Sequence, residues 1–215
     1  QITNWNDPAI AEQNPDVTLP DAPITAVHRS DDSGTTENFT AYLAAVAPGT
    51  WPHGAIQAWS DGPRNGEGAD GTAGVVQAVL AGTGSVGYAD ASQARGLPVA
   101  AIEVAGTFVE YSPEAAAAVV AASPMEAGRG PLDFTYELRH DVPGTYPIVL
   151  VSYHIACLDY ADPATARRVR EFLAFVVSSD GQAASNLTAG AAPLAPALVA
   201  ELTAAIDAID AVAAR

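Results

Sequence analysis

Apolar positions along the chain recur with two spacings, every second residue in short runs and every third or fourth in longer ones, which predicts strands alternating with helices. After the opening ITNWND, Asp7 stands before Pro8 as an N-cap and first-turn proline, so a short helix runs through Glu12 and ends before Pro15. Residues 24–28 form a short β-rich run that stops at the polar stretch 29–34. Directly after it, residues 35–47 carry Phe39, Tyr42, Leu43 and Val46 on one helical face. Residues 50–71, rich in Gly, Pro and Trp, read as a long surface loop with turns at Asp61-Gly62 and Asn65-Gly66. A helix opening at Asp70 or Thr72 runs through Leu80 to Gly82, and short strands follow at 85–88 and 99–104. Ser112-Pro113-Glu114 opens a further helix that stops before Pro124.

The second half has a different rhythm. Residues 147–158 (PIVLVSYHIACL) are the most strand-like run in the chain and read as a buried strand. Asp162-Pro163 then caps a long helix to Ser178, with Val169, Phe172, Leu173 and Val176 on one face. A short helix covers 182–187, and a terminal helix over 196–213 has Leu198, Leu202, Ile206 and Ile209 as its stripe. This alternation argues α/β layering. The pattern shifts near 143–147, where a loop-rich region gives way to one strand followed only by helices. Such a part completes a sheet built by other segments more readily than it stands alone.

Composition narrows the partners. The 215 residues carry 25 acidic and 9 basic side chains, a net charge of −16, and every basic residue is arginine. A chain so acidic lacks the basic patch that nucleic acid or an anionic membrane requires. A small anion is still admissible, because a few backbone amides and one arginine can overcome the global field. No apolar run reaches the roughly 18 residues of a membrane span. Cys157 is the single cysteine, and its apolar setting predicts a buried structural thiol. No targeting segment or lipobox is visible at the start of the sequence.

Polar chemistry concentrates in His28-Arg29-Ser30-Asp31-Asp32-Ser33-Gly34-Thr35-Thr36, at a strand-to-helix junction. The first turn of a helix leaves its N–H groups unpaired and partly positive. Ser33 and Thr35 add hydroxyls, Gly34 allows close backbone approach, and Arg29 offers a planar fork suited to tetrahedral oxyanions. Asp31 is placed to pair with Arg29 and hold it. These groups make a small-anion cradle with no metal and no cofactor. The same residues also allow a plainer arrangement, in which Ser33 only caps the helix and Arg29–Asp31 is a surface ion pair.

The segments ITNWNDPAIAEQNP and PITAVHRSDDSGTTENFTAYL resemble the PstS-type phosphate-binding proteins of bacterial ABC importers, actinobacterial members most of all. GADGTAGV at 68–75, GSVGY at 84–88, Tyr146-Pro147-Ile148 and the helix from Leu194 to Ile206 follow in the family's order. The resemblance implies an α/β periplasmic-binding-protein type II fold of two lobes with a hinge. Residues 1–143 would form the second lobe, with the phosphate loop, and 144–215 the returning part of the first lobe. That first lobe would be incomplete, lacking its initial strands, so a separate N-terminal half is an expected partner. Arg29, Ser33, Gly34 and Thr35 would bind inorganic phosphate, with Asp31 orienting Arg29. The ABC permease would be the membrane partner, and the location the extracellular face of the membrane or the periplasm, through a lipid-anchored segment outside this sequence. Asp32 departs from the family's glycine and must face solvent for the site to work. The alternative implied function is a receptor-derived interaction or sensor module without independent phosphate binding.

The remaining candidates are weaker. His28, His53, His140 and His154 lack metal-ligand spacing, and His154 reads as a core histidine. No Gly-x-Ser-x-Gly elbow surrounds Ser33, so a hydrolase triad with His28 and Asp31 is not expected, nor is any enzyme activity. Trp5, Trp51 and Trp59 read as packing over helix ends, and the sequons at Asn38 and Asn186 fall on helices and read as chance.

Overall fold

The computed structural model describes residues 2–94 and 96–211. The chain divides into two compact units, Gln1–Pro98 and Val99–Arg215.

The first unit opens with α1 (Pro8–Ala11), whose N-cap Asp7 accepts a hydrogen bond from the Ala9 amide at 2.9 Å. There follow β1 (Thr25–Arg29), α2 (Gly34–Val46), a single 3-10 turn (Trp59–Asp61), β2 (Glu67–Ala69), α3 (Gly71–Ala81) and β3 (Ser85–Gly87). The three strands form one parallel sheet in the order β2-β1-β3, so the first helical crossover runs from the central strand to one edge and the second returns in the opposite direction across it to the other. Right-handed crossovers place α2 and α3 on opposite faces of such a sheet. The packing agrees. Val27 pairs in register with Gly87, and a Cβ on Gly87 would lie 3.0 Å from Val75 and 3.2 Å from Val79, both on α3. On the other face, His28 stacks on Trp59 with centroids 4.6 Å apart.

Two expectations for this unit change. The 50–71 stretch is not merely a surface loop: Trp51 and Ile56 are buried, and its end forms β2. The inward face of α2 is set by Thr36 and Thr40, both fully buried, while Val46 is exposed. Thr40 Oγ1 accepts from the Ile56 amide at 2.9 Å and lies 2.8 Å from the Thr36 carbonyl, to which it donates. The helix therefore turns its hydroxyls inward because they satisfy groups that burial would otherwise strand.

The second unit contains an antiparallel hairpin of β4 (Ile102–Val104) and β5 (Thr107–Val109), closed by Ala105 and Gly106 with φ of 50° and 83°. Positive φ at both turn residues is the type I′ geometry that matches strand twist. Then come α4 (Pro113–Ala122), β6 (Asp159–Tyr160), α5 (Pro163–Val177), α6 (Ser179–Ala189), α7 (Pro196–Asp207) and β7 (Asp210–Ala211), with β6 and β7 parallel. Ser112 and Asp162 cap α4 and α5 through their side chains, as their sequence positions predict. The terminal helix stops at Asp207, short of the expected 213; residues 212–213 lie outside the described ones.

The expected strand over 147–158 does not form. Residues 148–156 make no backbone–backbone hydrogen bond among the described residues, and Ile155 is 98% exposed. Cys157 is exposed rather than a buried thiol, and His154 is exposed and meets the edge of Phe172 at 5.8 Å. A strand-forming sequence needs adjacent strands to satisfy its amides, and none pairs with this one among the described residues. The stripe of α5 is correspondingly open, with Phe172 55% exposed.

Candidate functional site

The junction between β1 and α2 lies at the carboxyl end of the central strand, where the crossovers diverge. Ligands of open α/β sheets bind at such a switch point, with helix N-termini facing the crevice. Here two first turns meet it, that of α2 at Gly34 and that of α3 at Gly71.

Arg29 and Asp31 join them. The Arg29 Nε donates to Asp31 Oδ1 at 2.6 Å, Nη2 donates to Asp31 Oδ2, and Nη1 donates to Thr72 Oγ1 at 3.2 Å. Asp31 Oδ1 also accepts from the Gly71 amide at 3.1 Å. The guanidinium hydrogen bond, with that of the Gly71 amide, holds the Asp31 carboxyl far below the usual carboxylate range. The same bond raises Arg29, whose side chain is only 12% exposed. A guanidinium carries five N–H groups. Three are engaged by Asp31 and Thr72, which leaves one on each terminal nitrogen as a fork for two oxygens of a ligand.

The helix side of the cradle differs in detail from its sequence reading. Ser33 is the N-cap of α2, and its Oγ accepts from the amides of Thr35 at 3.1 Å and Thr36 at 3.4 Å. The Ser33 amide donates to the Gln57 carbonyl at 3.1 Å. Ser33 therefore has its hydroxyl proton to offer, and Thr35 its hydroxyl. The Gly34 amide has no partner among the described residues. A Cβ on Gly34 would meet nothing within 4 Å, so neither packing nor backbone conformation demands glycine there. What the glycine does is keep the surface beside its amide open. Asp32 is exposed.

Three contributors were not singled out from sequence. Gly71 and Thr72 sit in a helix start visible as GADGTAG, and Tyr88 ends the GSVGY strand, but no local pattern says that they reach Arg29. The Tyr88 hydroxyl accepts from the Arg29 amide at 3.1 Å and lies 2.7 Å from Thr36 Oγ1. The tryptophans serve packing: Trp5 donates to the Gly84 carbonyl at 2.9 Å, and Trp51 lies against Trp59. Among the described residues no group of three or more His, Cys, Asp or Glu could hold a metal ion. No helix among them is long and apolar enough to cross a membrane.

The first unit is thus an α/β domain whose parallel sheet gathers amides, hydroxyls and one braced arginine at a switch point. The chain belongs to the PBP superfamily, whose domain model matches residues 1–180. It is 37% identical over 216 residues to phosphate-binding protein PstS 3 of Mycobacterium tuberculosis (strain H37Rv), covering 97% of this chain and 57% of that protein. It is 33% identical over 215 residues to PstS 2 of the same strain, with the same coverage. A solved high-affinity periplasmic phosphate-binding protein (PfluDING), bound with phosphate at pH 8.5, superposes with a TM-score of 0.65 at 26% identity. That match covers 94% of this chain and 61% of the other. The chain thus spans somewhat over half the length of the relatives it matches.

Proposed function

We propose that the chain is the phosphate-gripping part of a solute receptor for inorganic phosphate, serving an ABC-type importer. The observation that carries this reading is the braced Arg29, with two N–H groups left over beside the open Gly34 amide and the Ser33 and Thr35 hydroxyls. The names of the relatives support phosphate as the anion. In this reading residues 1–143 belong to the second lobe and 144–215 to the returning part of the first, and the permease meets the receptor at the extracellular or periplasmic face of the membrane. A lipid anchor outside this sequence would hold it there. Catalysis is not part of the proposal. Ser33 Oγ faces amides that donate to it, and the His28 Nδ1 lies 2.9 Å from the Arg29 carbonyl, so neither is arranged as nucleophile and base.

Selectivity follows from the donor set. Both Asp31 oxygens are engaged, so Asp31 is not free to accept a proton from phosphate. Calorimetric titration of the chain with phosphate and with sulfate tests the proposal. Binding of both anions with similar affinity is expected, and heat from neither would sink it. One observation favours a second reading, an interaction module without independent phosphate binding: the apolar stretch 148–158 is largely exposed. The same titration separates the two.

A further inference from the structure

The anion loop is defined by its two ends, and one side chain just past β3 holds both. In the parallel ladder the Thr25 amide donates to the Gly84 carbonyl on the β3 side at 3.2 Å. By the two-residue alternation of a strand, the Arg29 amide faces that same side. There β3 has already ended at Gly87, and the Arg29 amide finds no backbone acceptor among the described residues. The Tyr88 hydroxyl supplies one, accepting from the Arg29 amide at 3.1 Å. Its second bond, 2.7 Å long, joins the Thr36 hydroxyl in the first turn of α2, where Thr36 is fully buried. The ring is fixed in turn by stacking on Phe39, with centroids 4.5 Å apart and planes 16° apart.

We infer that Tyr88 is a positioning residue for the anion site: its hydroxyl pins Arg29 at one end of the loop and Thr36 at the other. The pin fixes how far the guanidinium fork stands from the Gly34 amide. A rigid span matters because the fork and the helix donors must reach the same tetrahedral ion, and a misplacement of a fraction of an ångström weakens every bond at once. The role in binding rests on the phosphate reading; the pin itself does not.

The experiment is therefore read in two ways on the intact chain. Tyr88→Phe keeps the ring on Phe39 and removes only the hydroxyl. Amide hydrogen exchange without ligand is expected to show the Arg29 amide exchanging about tenfold faster in this variant, with the β1 amides before it unchanged. Phosphate titration is expected to show a Kd about tenfold higher. Thr36→Val should weaken binding similarly, Thr36→Ser should restore it, and Tyr88→Phe combined with Thr36→Val should cost no more than either alone. A merely structural hydroxyl would give additive losses and no rescue by serine. Unchanged Arg29 exchange and unchanged Kd in Tyr88→Phe would overturn the inference. If the parent chain bound no phosphate while Arg29 exchange still accelerated, the phosphate reading would fail and the pin would stand. Should Tyr88→Phe not fold, the Thr36→Val and Thr36→Ser pair decides the same question.

Discussion

Replacing Arg29 by alanine is the sharpest perturbation of the proposed site, and its size can be worked from the hydrogen bonds already in place. The guanidinium has two N–H groups free after Asp31 and Thr72 are served, so a bound phosphate gains two charge-assisted bonds from it. Each such bond contributes about 1.5–3 kcal/mol net, and the crevice is open to water on the ligand side, so the pair together is worth about 2–3 kcal/mol. That corresponds to a loss of about 30- to 150-fold in Kd. Fold integrity is the necessary control. Asp31 keeps its bond from the Gly71 amide in the variant and is part-exposed, so the carboxylate is not stranded. Thermal denaturation by circular dichroism should show a cooperative transition close to that of the parent. Arg29→Lys adds a graded comparison: an ammonium has three donors and cannot keep the paired bonds to Asp31, the bond to Thr72 and two bonds to phosphate together, so an intermediate loss of about tenfold is expected. Calorimetry with phosphate reads all three. If Arg29→Ala binds phosphate as the parent does, with its fold intact, the assignment of the guanidinium to the ligand is wrong.

Other variants separate the cradle from the scaffold. Gly34→Ala places a methyl in open space within the chain, so stability should hold or rise by about 0.5 kcal/mol while phosphate affinity falls, measured by melting and titration together. Thr40→Val preserves shape but strands the buried Ile56 amide, and chemical denaturation should show a loss of about 1–3 kcal/mol. Gly66→Ala combines a φ of 91° with a Cβ only 2.6 Å from the Ala26 carbonyl oxygen, so it should destabilise the chain by more than about 1 kcal/mol in the same assay. The Asp31 carboxyl is depressed by its bond from Arg29, so its contribution is fully present above the ordinary carboxylate pKa and is lost only as pH falls through the depressed value. The carboxyl-carbon chemical shift of Asp31 should therefore stay flat through about pH 3–5, where an ordinary aspartate titrates, and a titration step there would show that the pair is not formed in solution.

What the sequence makes legible here is what neighbouring residues decide. Asp7, Ser33, Ser112 and Asp162 each cap the helix their position announces, because an N-cap needs only a side chain and the next three amides. The hairpin return at 107–109 was hidden behind Ala105, a residue that gives no turn signal although it adopts positive φ. The threonine face of α2 was hidden for a related reason. A pattern of hydrophobic spacing cannot anticipate that Thr36 and Thr40 become interior residues when Tyr88 and Ile56, far along the chain, bond their hydroxyls. The 147–158 run marks the limit in the other direction. Its β-branched composition describes a strand well, yet a strand is a relation between segments, and β-rich residues without a ladder partner remain irregular and exposed.

The site divides along the same line. Arg29 and Asp31 lie two residues apart at a strand end, so their pairing follows from short-range geometry and was legible. That Asp31 also receives the Gly71 amide, and Arg29 the Thr72 oxygen, depends on β2 lying beside β1 so that the next helix starts at the same edge. Strand order thus does chemical work. In the order β2-β1-β3 the central strand is flanked by one crossover on each face, and only then do two helix N-termini open onto one crevice. Were β2 moved away from β1, α3 would start away from Arg29 and its first amides would not reach the loop. The loop residues would be unchanged, but Asp31 would lose the amide that fixes its second lone pair. An aspartate held from one side alone could swing its carboxylate into the anion's place. The bond from Gly71 therefore adds to the two from Arg29 in holding an acidic residue, in a chain of net charge −16, beside the proposed anion loop without its competing for the arginine fork.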